Sequence, residues 1–142
     1  MMCTVNSLCL DSLPKFLDHV MSFKDVYGKD SPTFTLNILR FPSFQSPLVL
    51  PKYLRSGYGY SLKLWLRLNG DNPLLHEMEK NHIQRLIDYL DVVDKPHSDT
   101  FEPAALKNDF YHFYRQYDER RGKNFTETFP NLKLWYEALP HD

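Results

Sequence analysis

Only two cysteines, Cys3 and Cys9, occur in the 142 residues, and that scarcity excludes a secreted disulfide framework. A reducing, cytoplasmic setting is the expectation. The Cys-x5-Cys spacing matches no usual metal-ligand pattern, and no third cysteine exists to complete a thiolate site. Charge of one sign is equally scarce. Against 17 Lys and Arg stand 18 Asp and Glu, a net charge of -1, so neither nucleic acid nor a membrane surface is expected as a partner held by bulk charge. No apolar run approaches the roughly 20 residues of a membrane-spanning helix. The apolar start lacks a basic region and meets Asp11 before reaching signal length. Repeats, low-complexity tracts, Gly-x-Ser-x-Gly, a P-loop and His-Glu-x-x-His are all missing.

What is there is a composition of 42% hydrophobic and 15% aromatic residues, enough for a single core in a chain of this length. A short strand is predicted up to about Asn6, uncharged and carrying Thr4 and Val5. A helix follows, capped by Asp11 or Ser12 with Pro14 in its first turn. Leu13, Phe16, Leu17, Val20, Met21 and Phe23 form its inner face, Lys15, Asp18 and Lys24 its polar face, and Gly28 its end. Residues 33–39 read as a second strand, and 41–47 as an ordered loop of mixed prolines and aromatics. Beyond Pro51 the spacing is helical. Leu54, Tyr58, Leu62, Trp65 and Leu66 share one face, while Asn72 and Pro73 begin a further helix striped by Leu75, Met78, His82, Leu86, Leu90 and Val93. After a break at residues 95–99, Pro103 opens a helix with Leu106, Phe110, Phe113 and Tyr117 inward.

The segment from Tyr117 to Pro130 has the most legible local chemistry. Arg120 and Arg121 oppose the helix dipole, and Gly122 is placed for positive φ beyond the helix end. Asn124 then caps a last helix, with Glu127 three residues on as its capping-box partner, and that helix carries Phe125, Phe129, Leu132 and Trp135 or Tyr136.

Candidate chemistry is sparse. His76 and Glu79 have ligand spacing on a helix, but a solvated pair is the plainer account, and His82 reads as a core-boundary histidine. The aromatic run from Phe110 to Tyr117 reads as helical packing rather than base stacking. Asn6 and Ser7 after the first strand, with Asn37 and Arg40 at the end of the second, are the better candidates, because ligands sit beyond the carboxyl ends of parallel strands. Capping of loops and helix starts is an equal alternative for them. A lone strand-helix-strand unit cannot bury both sheet faces. Either the helical tail folds over the sheet, or the first fifty residues close a larger barrel or sheet.

Taken in order, several motifs resemble the C-terminal part of twitch-type radical S-adenosylmethionine (radical SAM) proteins. They are Thr4-Val5-Asn6-Ser7-Leu8, Leu13-Pro14-Lys15-Phe16-Leu17, Leu36-Asn37-Ile38-Leu39, Val49-Leu50-Pro51 and Tyr117-Asp118-x-x-Arg121-Gly122-x-Asn124-Phe125-x-x-x-Phe129-Pro130. The likeness implies an α/β fold, the C-terminal βαβ portion of a partial (β/α)6 barrel over residues 1–50, followed by an antiparallel tail of about four helices over 51–142. It implies Asn6, Asn37 and Arg40 at a rim contacting S-adenosylmethionine or substrate. The family's Cys-x3-Cys-x2-Cys motif, which holds the [4Fe-4S] cluster, is absent along with the twitch cysteines. The resemblance therefore implies a fragment or split half that is inactive alone, carries no catalytic or metal residue, and has an N-terminal half bearing the cluster as partner. A small helical protein-interaction module without enzymatic activity is the alternative.

Overall fold

The computed structural model describes residues 1–40, 43–91 and 103–139. Phe41, Pro42, Val93, the break at 95–99, His97 and His141 lie outside the described residues. Strand β1 (Met2–Val5) is followed by helix α1 (Leu13–Tyr27), strand β2 (Thr35–Ile38), and helices α2 (Lys52–Asn69), α3 (Glu77–Leu90), α4 (Pro103–Arg121), α5 (Phe125–Thr128) and α6 (Lys133–Ala138). Short 3-10 turns occupy Ser43–Gln45, Pro47–Val49 and Pro130–Leu132.

The expectation of an α/β fold, the βαβ portion of a partial (β/α)6 barrel, is overturned. The described residues are mostly helical, and their only sheet has two parallel strands of four residues each. Met2 pairs with Thr35 and Val5 with Ile38, so the sheet ends almost as soon as it begins. Its β2 edge is also unavailable to a further strand. Glu79, His82 and Arg85 of α3, spaced three residues apart, lie along that edge and occupy its backbone groups. Glu79 Oε2 accepts from Phe34 N–H at 2.9 Å, His82 Nδ1 accepts from Leu36 N–H at 3.0 Å, and Arg85 donates to the Leu36 carbonyl at 2.7 Å. A helix here does what a neighbouring strand does in a larger sheet.

One apolar cluster links the elements, running from Val5, Leu17 and Leu36 through Leu62, Ile83 and Leu86 to Phe110, Phe125 and Trp135. The helical register shifts several expected faces. On α1, Leu13, Leu17, Val20 and Met21 are buried while Phe16 and Phe23 are exposed. Lys24, expected on the polar face, is wholly buried. On α3 the buried face is Glu79, Ile83, Leu86, Ile87 and Leu90, and Met78 is exposed. Asn72 caps only a turn, its Oδ1 accepting from Leu74 N–H at 2.9 Å, and α3 itself begins four residues after Pro73, at Glu77. On α4, Leu106 and Phe110 are buried, but Phe113 and Tyr117 are exposed. The single last helix is divided at Phe129 and Pro130 into α5, a 3-10 turn and α6, as a proline that lacks an N–H and restricts its predecessor would impose.

Candidate functional site

At the carboxyl ends of β1 and β2 lies an open cavity of about 530 Å³, lined by Thr4, Asn37, Ile38, Leu39, Arg40 and Arg85. Its position follows from the strands. Val5 and Leu36 are buried, so strand alternation turns Thr4 and Asn37, which are register partners, to the opposite, exposed face. The chain leaves β2 through Leu39, whose N–H donates to the Val5 carbonyl at 2.8 Å, and this bond sets Arg40 at the rim.

Two cations meet there, and each is held by α3. The Arg85 guanidinium is fixed by its 2.7 Å bond to the Leu36 carbonyl. The Arg40 guanidinium lies 5.5 Å from the centroid of the Tyr89 ring, and Tyr89 stands one helical turn beyond Arg85. The Tyr89 ring is itself anchored, its hydroxyl sharing a 2.9 Å hydrogen bond with Ser46. Neither guanidinium has a carboxylate partner among the described residues. The Asn37 amide donates to Met2 Sδ, a weak acceptor.

Of the residues singled out from the sequence, Asn37 and Arg40 therefore share one cavity. Asn6 does not. Its Oδ1 accepts from Leu8 N–H at 2.9 Å, and its backbone is engaged with Cys9 Sγ, which makes it the hinge of the turn after β1. Ser7 is buried, its N–H donating to the Gln45 carbonyl and its hydroxyl without a partner among the described residues. Arg85 was missed in the sequence. The available signal was the 79-82-85 spacing on one helix, which only the position of β2 turns into a function.

No family model, curated protein or solved structure matches this chain. The chemistry must therefore come from the residues themselves. His76 and Glu79 do not converge on a metal. Glu79 is wholly buried against Lys24 at 2.9 Å, while His76 Nε2 faces Asp30 at 2.6 Å. Among the described residues no cluster of three His, Cys, Asp or Glu side chains has metal-binding geometry. Burial pushes the Cys3 and Cys9 thiols up. No described helix is long and apolar enough to cross a membrane.

A second cavity, of about 460 Å³, opens where α4 meets α5 and is walled by Phe113, Tyr114, Tyr117, Phe125 and Phe129. Its one carboxylate among the described residues, Asp118, already accepts from Phe125 N–H at 3.0 Å. Behind it Tyr136 stacks on Phe125 at 4.2 Å, its phenol pushed up to about 12 by burial and then by the charge of Asp118. This region has the character of an aromatic core reaching the surface. The strand-end cavity instead gathers two guanidiniums with no carboxylate partner among the described residues.

Proposed function

We propose that this chain is the non-catalytic C-terminal part of a twitch-type radical SAM protein, whose [4Fe-4S] cluster is bound by residues outside this sequence. The observation that supports the reading is the gathering of Asn37 and Arg40 around one open cavity at the strand ends. The ordered motifs from Thr4-Val5-Asn6 to Phe129-Pro130 agree with it. The chain's own part is to position: α3 holds Arg40 and Arg85 at the rim, and the β1-β2 pair presents Thr4 and Asn37 beside them. No electron transfer is assigned to the chain, because the Cys-x3-Cys-x2-Cys motif is absent from it.

The test is anaerobic iron-sulfur reconstitution followed by measurement of 5′-deoxyadenosine. The chain alone should release none. Combined with a polypeptide that bears Cys-x3-Cys-x2-Cys and is encoded beside it, it should raise the yield over that polypeptide alone. Cleavage by this chain by itself would overturn the reading.

The alternative, a protein-interaction module without enzymatic activity, draws on one different observation. Along the exposed side of α1, His19 meets Phe23 edge-on at 4.9 Å and Phe23 stacks on Tyr27 at 6.1 Å. That aromatic stripe is a contact surface of the kind partners cover. A full-length interaction with no effect on 5′-deoxyadenosine yield would favour this second reading.

A further inference from the structure

We propose that the strand-end cavity is an oxyanion-binding site, taking the carboxylate or phosphate group of a small-molecule ligand between Arg40 and Arg85. The inference deepens the function given above, resting on it for the rim's role. Its ligand chemistry comes from the two guanidiniums.

Exposed arginines are usually solvated and mobile, and two of them near a surface hollow say little. These two differ in being pinned. Arg85 spends one amino group on the Leu36 carbonyl, which leaves its remaining N–H donors at the cavity that it lines. Arg40 is laid over the Tyr89 ring, and a guanidinium with one face against an aromatic ring keeps its in-plane donors free. Because Tyr89 follows Arg85 by four residues on α3, both cations are held from one side of that helix, where i,i+4 Cβ atoms stand about 6 Å apart. Both guanidiniums line the same cavity, and each is capable of paired N–H···O bonds to an oxyanion.

The rest of the lining agrees. Thr4 adds a hydroxyl, and Asn37 an amide whose present acceptor is a thioether sulfur, easily given up for a charged oxygen. Ile38 and Leu39 add apolar wall, so a ligand with a carbon skeleton behind its anionic group is accommodated. Among the described residues no acidic side chain lines the cavity. Two positive charges with no carboxylate beside them among the described residues are an arrangement that an anion completes.

The experiment is an NMR titration of the full chain, following backbone amides and arginine Nε–H groups. Inorganic phosphate and acetate are added in separate arms, with sodium chloride holding ionic strength constant. Saturable shifts are expected at Thr4, Asn37, Arg40 and Arg85. A tighter response to phosphate assigns a phosphate ester, and a tighter response to acetate a carboxylate. Arg40→Gln removes the guanidinium that lies over the Tyr89 ring and should weaken binding about tenfold or more while leaving the spectrum folded. Arg85→Gln should do the same, and Lys15→Gln on the exposed face of α1 should change nothing. Shifts that stay linear and spread over all basic residues would overturn the proposal. So would saturation that survives both arginine substitutions. Because no cluster or cleavage is involved, failure here is distinguishable from failure of the radical SAM reading.

Discussion

At the scale of single residues, Lys24 and Glu79 show how little a helical wheel says about an ion pair. Both side chains are 0% exposed, and Glu79 also accepts from His76 N–H at 2.8 Å and Phe34 N–H at 2.9 Å. The Lys24 ammonium completes its shell on the Lys29 carbonyl at 2.6 Å. One carboxylate thus ties α1, the strand preceding segment and the first turn of α3 together. Removing either partner leaves an uncompensated buried charge. Lys24→Met is expected to cost about 3–5 kcal/mol in denaturant unfolding. Adding Glu79→Gln should recover part of that loss, because the amide abolishes the stranded charge and its oxygen still accepts from a backbone N–H. A double variant that loses the full sum of the two single effects would refute this account.

At the scale of elements, the α4-α5 joint is where sequence and structure agree most closely. Gly122 has φ +60°, and Lys123 N–H donates to the Asp118 carbonyl at 3.1 Å, the long closing bond of a left-handed helix stop. Asn124 Oδ1 then accepts from Thr126 N–H at 3.1 Å and Glu127 N–H at 3.4 Å. The expected return bond from Glu127 is not formed. A different donor of the first turn, the Phe125 N–H, is taken by Asp118, a side chain from the preceding helix. Glycines in different backbone settings give opposite predictions. A Cβ at Gly122 meets nothing within 4 Å, so Gly122→Ala should lose about 1–2 kcal/mol from backbone strain alone. Gly57 lies inside α2, also with nothing within 4 Å, and Gly57→Ala should gain about 0.4–1 kcal/mol. Thermal midpoints moving in the same direction for both would contradict the assignment of their conformations.

At the scale of the whole molecule, the two edges of the sheet differ. The β2 edge is closed by α3, whereas Met1 and Val5 direct their carbonyls to β2 and so leave Met2 and Thr4 facing away, with no described residue pairing there. Met2 is 68% exposed on that open edge. Such an edge is a template for another strand. Concentration-dependent self-association of the isolated chain is expected in sedimentation velocity, and Met2→Lys should suppress it by placing a charge at the pairing edge. A monomer at all concentrations, unchanged by Met2→Lys, would count against an edge that partners use.

Local chemistry was legible from the sequence alone because capping, positive φ and proline act within a few residues. Gly122, Asn124, the breaks at Gly28 and Pro51, and the placement of Asn37 and Arg40 at a strand end all follow from near neighbours. What lies across the fold was not legible. A wheel shows which face of α1 or α3 is apolar, but not that Lys24 will find Glu79, 55 residues away, and become core. Nor does β2 reveal that its edge will meet side chains from α3 rather than another strand, which is why the barrel expectation failed. Asn6 and Asn37 look alike in the sequence, and only packing makes one a turn acceptor and the other a wall of the cavity. The physical reason is that backbone signals are short-ranged, whereas compensation of buried charge and closure of a sheet edge depend on which distant group arrives first.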